Sequence, residues 1–205
     1  MFDVEGFILV GGKSTRMGED KAALSFDGRT SIQRTAAEMA PVTSRVCLVG
    51  ARQDQGRSPL ENVPDIHRHW GALGGIHAAL IACRSPWALV VACDLPFLTT
   101  ELFGRLESLR ADPFDAIVPV QPDERPQPLC AIYRRDTCLS HAERLIEREE
   151  HTPRVLLAAV NTRWVQFAEL GDLPGADHFF FNMNTPADLA QARKIIQGMN
   201  LGGKH

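Results

Sequence analysis

The chain alternates short, wholly apolar runs with longer stretches in which apolar positions recur every three or four residues. Phe7 to Val10, Arg45 to Val49 and Trp87 to Ala92 are runs of the first kind. Runs that are apolar on successive positions predict strands buried on both faces. Asn62 to Ile66, Ala116 to Val120 and Leu129 to Tyr133 predict further strands, and Trp164 to Phe167 and Phe179 to Phe181 predict short ones. The helical period predicts helices over Ser31–Met39, Leu73–Cys83, Thr100–Arg110, Thr137–Arg148, Thr152–Val160 and Pro186–Gln197. Ser31, Thr100 and Thr185 are the predicted caps of three of them, and the last six residues, NLGGKH, are expected to fray.

Strand–helix alternation at this spacing predicts an α/β fold, a largely parallel sheet with helices on both faces. The expected organisation is one domain over residues 1–198 with a tail over 199–205. Ligands in such sheets bind beyond the carboxyl ends of the strands. That rule directs attention to Gly11-Gly12, after the first strand, and Cys93-Asp94, after the most apolar one.

Composition narrows the function classes. The 205 residues are 44% hydrophobic and 23% charged, too apolar for a disordered chain. A net charge of −3 argues against a general nucleic-acid partner. No apolar run reaches the roughly 18 residues of a membrane span, and the acidic start MFDVEG lacks the basic region of a signal peptide. The five cysteines form no C-x-x-C pair, which suits buried free thiols in a reducing cytoplasm.

The chemistry is densest after the first strand, in FILVGGKSTRMGEDK, residues 7–21. Gly11 and Gly12 allow close approach to an anion, successive backbone N–H groups around Ser14 can bind its oxygens, and Arg16 and Lys21 add positive charge. The segment reads as a nucleotide phosphate loop. It is neither a P-loop, whose first glycine would fall on Phe7, nor a G-x-G-x-x-G turn, because Lys13 occupies the second glycine position.

Asp94 follows the most apolar strand directly. A carboxylate there reads as a Mg²⁺ ligand, or as a capping or salt-bridged acid. Asn182 and Asn184 alternate onto one face of an extended segment before the last helix, where they read as Mg²⁺ or water ligands, or as turn caps. Asp65, His67 and His69 alternate as well; they are too close along one strand to converge readily on one ion, so structural or solvent-facing histidines are expected. His77 is expected on the helix surface or at the rim of the site, and Cys93 as a packed thiol.

The block GG-K-S-T-R-MG-E-DK resembles the GG-x-S-x-RMG-x-DK signature of the molybdenum cofactor guanylyltransferases, MobA-like nucleotidyltransferases. GALGGI (71–76), ACDLPFL (92–98), PLCAIY (128–133) and NMNTPADL (182–189) resemble the same family in the same order. The resemblance spans nearly the whole chain. It implies a three-layer Rossmann-like nucleotidyltransferase fold and transfer of GMP from GTP to the phosphate of molybdopterin, with pyrophosphate released. It implies nucleotide contacts by Leu9, Val10, Gly11, Gly12, Ser14, Lys21, Asp65 and Asp94, and catalysis by Arg16, Lys21 and Asp94 with Mg²⁺ on Asp94. It also implies transient contact with molybdenum-insertion or molybdoenzyme-maturation proteins. Cytidylyl relatives tend to carry L-A-A-G where guanylyl enzymes carry L-A-G-G; this chain reads Leu9-Val10-Gly11-Gly12, so its second glycine favours guanine while Val10 departs from both. Gly50 stands where guanylyl enzymes can carry Asn. Cytidylyl transfer to molybdopterin, nucleotidyl transfer to another phosphorylated metabolite, and a non-catalytic nucleotide-binding module are the alternatives. The third predicts loss of the metal or lysine position, yet Arg16, Lys21 and Asp94 are all present.

Overall fold

Six consecutive apolar residues, Trp87–Ala92, form the central strand of the sheet, every one of them buried. The computed structural model describes residues 3–10, 25–26, 28–51, 59–67 and 70–202. Nine strands are assigned among them: β1 (Val4–Leu9), β2 (Ser25–Phe26), β3 (Arg29–Thr30), β4 (Val46–Val49), β5 (Glu61–Val63), β6 (Trp87–Ala92), β7 (Ala116–Pro119), β8 (Cys130–Arg134) and β9 (Thr162–Val165). The helices are α1 (Ser31–Met39), α2 (Gly71–Ala82), α3 (Thr100–Ser108), α4 (Arg135–Glu147), α5 (Pro153–Ala159) and α6 (Pro186–Gly202).

Seven strands make one sheet in the order β5-β4-β1-β6-β8-β7-β9, while β2 and β3 form a separate two-stranded ribbon. In the sheet, β8 alone runs against its neighbours, antiparallel to both β6 and β7. The carboxyl ends of β1, β4, β5 and β6 therefore lie along one edge, with Leu9 in register with both Val49 and Ala92. Alternate strand residues feed two apolar layers. Ile8, Leu48, Leu89 and Val91 pack with α1 and α3, and Phe7, Leu9, Val90 and Ala131 pack with α2, α4 and α5. Both faces of the sheet are covered, which is why its inner strands are largely apolar, whereas the edge strands β5 and β9 carry polar, partly exposed residues.

The structure moves several sequence-derived boundaries. β1 begins at Val4 and so carries a charge into the sheet, Glu5, which is only 4% exposed. Its carboxylate accepts from Arg45 Nε at 2.9 Å, Arg84 N at 3.1 Å and Ser85 Oγ at 3.2 Å, so the buried acid is paired and hydrogen-bonded. α1 is capped by Thr30 rather than Ser31, in a reciprocal capping box with Gln33. α3 is capped by Thr99 rather than Thr100. Phe179–Phe181 is not a strand. Phe179 and Phe180 both pack into the α1/α3 layer while Phe181 packs on Phe97, so the run follows a 3₁₀ turn instead of a pleat. Phe167 likewise begins a 3₁₀ turn, and β9 ends at Val165. α6 continues to Gly202, past the expected end at Gln197. All five cysteines are buried and free, as their spacing predicted.

Candidate active site

The edge at the ends of β1 and β6 is built mainly from backbone. Leu9 and Val10 are 7% and 9% exposed, and their side chains enter opposite apolar layers. Val10 N donates to Val49 O at 3.0 Å, and Leu9 O accepts from Cys93 N at 3.1 Å. These two residues thus form the floor from which the glycine segment leaves. Gly11, Gly12, Ser14, Arg16 and Lys21 lie outside the described residues, as does His69.

Asp94 stands where β6 stops, partly buried. Three hydrogen bonds fix the main chain around it. Cys93 N bonds to β1, Ser31 Oγ donates to Cys93 O at 2.5 Å, and Met183 N donates to Asp94 O at 2.9 Å. Ser31 is fully buried, so a residue that the sequence suggested as a helix cap instead joins the start of α1 to the Asp94 turn. Its position beside the true cap, Thr30, hid that role. Further on, Glu38 of α1 accepts from Thr100 N at 2.9 Å and from Thr100 Oγ1 at 2.8 Å. One helix therefore holds both ends of the segment from Cys93 to Thr100.

The Met183 bond brings a third segment to the same place. Asn182 and Asn184 are exposed and flank the buried Met183, so the alternation read from sequence is present in the fold. Asn184 Nδ2 donates to Asn182 Oδ1 at 2.7 Å. Thr185 caps α6 as its sequence position predicted: its Oγ1 accepts from Asp188 N at 3.1 Å, and Asp188 in return accepts from Thr185 N at 2.7 Å and from Asn184 N at 2.8 Å. Asp94, Asn182 and Asn184 are separated by nearly ninety positions in the chain and lie together at one edge. Their donors are hard oxygens, the set that suits Mg²⁺, and the neighbouring Cys93 thiol is turned into the core.

Across the sheet edge, the segment before α2 is tightly turned. Asp65 Oδ1 accepts from His67 N at 3.1 Å, a local turn and not a strand, so the alternation expected to line up Asp65 and His67 does not arise. Gly71 takes φ +60, and a Cβ on Gly74 would lie 2.9 Å from Trp70 Cβ and 3.2 Å from His67 O. Glycine at 74 lets α2 start against this turn. Trp70 packs on His151 from the α4–α5 loop at 4.3 Å between ring centroids, and His67 lies 5.0 Å from His77. No group of three or more His, Cys, Asp or Glu side chains that could hold a metal ion occurs among the described residues.

His77, expected at the surface or rim, is instead 4% exposed, and its buried Nδ1 has no hydrogen-bond partner among the described residues. α2 packs on both the sheet and α4, so burial reaches a position that the sequence assigned to the rim. Burial first, then His67, pushes its pKa below 6.5, opposed by Glu143 and Asp65. The folded state therefore binds fewer protons than the unfolded state below pH ~6.5, and stability falls as the pH drops from that value. The expected result is that wild type loses more stability than His77→Leu between pH 7 and pH 5, measured by urea unfolding at both pH values. Equal losses in the two proteins would remove His77 from the acid response.

Cys130 and Tyr133 of β8 are fully buried, and Tyr133 donates to Pro128 O at 2.7 Å. The connection from β7 to β8 leaves at the same edge of the sheet as the end of β6.

Residues 6–164 match the family model described as MobA-like NTP transferase domain. The chain is 34% identical over 203 residues to a probable molybdenum cofactor guanylyltransferase of Pelotomaculum thermopropionicum, covering 98% of each chain. It is 32% identical to the molybdenum cofactor guanylyltransferase of Desulfosudis oleivorans, covering 95% of this chain and 96% of that one. Among solved structures it is similar to molybdopterin-guanine dinucleotide biosynthesis protein A of Archaeoglobus fulgidus. That match has a TM-score of 0.80 and 28% identity over 95% of this chain and 99% of the other.

Proposed function

This chain belongs to the MobA-like NTP transferase family, and from that premise we propose that it transfers GMP from GTP to the phosphate of molybdopterin, forming the guanine dinucleotide cofactor. The supporting observation is the convergence of three distant segments on one sheet edge: the end of β1, the Asp94 turn and the Asn182–Asn184 pair.

An oxygen of the acceptor phosphate attacks the α-phosphorus of GTP. That P–O bond forms as the bond from the α-phosphorus to the bridging oxygen breaks, and pyrophosphate leaves with the electron pair. A phosphate is already ionised near neutral pH, so no protein nucleophile or general base is required. The work is positioning and charge stabilisation. Arg16 and Lys21 neutralise phosphate oxygens, with Lys21 on the α-phosphate. Gly11, Gly12 and Ser14 supply backbone donors, and Asp65 contacts the nucleoside. Asp94, with Asn182 or Asn184, would hold Mg²⁺. When bound, that ion offsets the charge of the triphosphate and of the leaving pyrophosphate. The transfer belongs to the cytoplasm, and its product passes to proteins that insert the cofactor.

Thermal shift with GTP, CTP, ATP and UTP, each with and without Mg²⁺, tests the nucleotide. Ligand at a hundred times its Kd stabilises by about 2.7 kcal/mol, a rise of roughly 5–10 °C for a domain of this size. A Mg²⁺-dependent rise with GTP alone is expected. A larger rise with CTP would overturn the guanylyl assignment in favour of cytidylyl transfer.

A further inference from the structure

Beneath the candidate site lies an apolar cluster separate from the two layers that pack on the sheet. It joins Phe97 and Met183 to Ala192 and Ile196 of α6, with Phe181, Leu189 and Ile195 packed against them. Met183 is fully buried and Phe97 is 5% exposed. Ala192 and Ile196 are the buried residues of α6 among those described, and both belong to this cluster. The helix is thus seated through it and not through the main layers.

Its location matters more than its size. Phe97 follows Asp94 by three positions, and Met183 stands between Asn182 and Asn184. The Phe97 and Phe181 rings meet edge to face at 5.6 Å, and Met183 N bonds to the Asp94 carbonyl at the same junction. Alternation along an extended chain means that burying Met183 turns both asparagines outward. Slipping the segment by one residue would expose Met183 and bury two amides. The side chain that fixes the register of the asparagines is therefore packed on the loop that carries the aspartate.

We propose that Phe97 and Met183 are positioning residues for nucleotidyl transfer. Their cluster seats α6 and holds the Asn182–Asn184 pair in register with Asp94, without touching substrate. The inference rests on the reading of Asp94 and the asparagines as site residues. Because the cluster is small and separate, it opens as a local unit without unfolding the sheet. Loss of the seat acts on the alignment of reacting groups, to which rate is steep: a misplacement of about 1 Å costs up to about a hundredfold.

The test compares Met183→Ala, Met183→Leu and Ile196→Ala with wild type. The readouts are kcat and KM with whichever nucleoside triphosphate wild type turns over, the nucleotide-induced thermal shift, and amide hydrogen exchange. Ile196 lies on α6 away from the asparagines, so its truncation loosens the seat without touching the site segment, and it serves if Met183→Ala does not fold. Both alanine variants are expected to lose roughly tenfold to a hundredfold in kcat. Faster exchange is expected at residues 94–98 and 181–198 but not in β1, β4 or β6. The nucleotide shift should stay within about a third of wild type, and Met183→Leu should return kcat to within about threefold. Alanine variants within threefold of wild-type kcat would overturn the proposal, as would a loss accompanied by faster exchange throughout the sheet, which is general destabilisation. Wild-type turnover is read separately. If wild type transfers no nucleotide, the functional reading fails, while confinement of fast exchange to the two segments still decides whether the seat is a separate unit.

Discussion

Asp94→Asn loses about three orders of magnitude in kcat, and its melting temperature stays close to that of wild type. Removing one preorganised charge-stabilising group from a transfer site costs about a hundredfold to a thousandfold. A ligand to a divalent ion, which acts on both the attacked phosphate and the leaving group, lies at the upper end of that range. The fold survives because three bonds to the main chain of the turn remain in place. Cys93 N, Cys93 O and Asp94 O are held by Leu9, Ser31 and Met183, and the substitution leaves all three. Two measurements check this: steady-state transfer, and the nucleotide thermal shift with and without Mg²⁺. The Mg²⁺-dependent part of the shift should vanish in the variant. Turnover within threefold of wild type would show that Asp94 is a structural acid at a strand end and would remove the metal from this position.

Lys21→Ala loses roughly a hundredfold to a thousandfold in kcat, with a smaller rise in KM for the nucleotide. A lysine on the α-phosphate stabilises charge that grows as the bond to pyrophosphate breaks, so its contribution is larger in the transition state than in the bound substrate. Lys21→Arg restores only part, because a planar guanidinium does not occupy the position of a compact ammonium. Single-turnover rates at saturating nucleotide separate the two effects. A variant that raises KM with kcat unchanged would make Lys21 a binding residue alone.

Much of the scaffold was legible in the chain. Trp87–Ala92 was readable to the residue because a strand covered on both faces needs an apolar side chain at every position. The bounds of α1 were readable from its helical period. Caps were misread by one position where two hydroxyl residues are adjacent, Thr30 beside Ser31 and Thr99 beside Thr100. The local pattern is the same for either, and the cap is the hydroxyl that is left when a distant group claims its neighbour. Cys93 O claims Ser31, and Glu38 claims Thr100. Phe179–Phe181 looked like a strand because three aromatics in a row satisfy strand propensity, while the neighbours Phe179 and Phe180 pack into one layer and Phe181 into a separate cluster.

The sequence by itself determined the α/β alternation, the apolar strands, the positions after β1 and β6 where chemistry collects, and the family. These are local or periodic properties, carried by runs of neighbouring residues. Tertiary structure alone decided that β8 runs against the sheet, that α2 packs on α4 with His77 buried, and that Met183 ties Asn182 and Asn184 to Asp94. Each of those is a contact between residues far apart in the chain. Its free energy depends on which surfaces meet when the layers close, and no window of the sequence contains both partners.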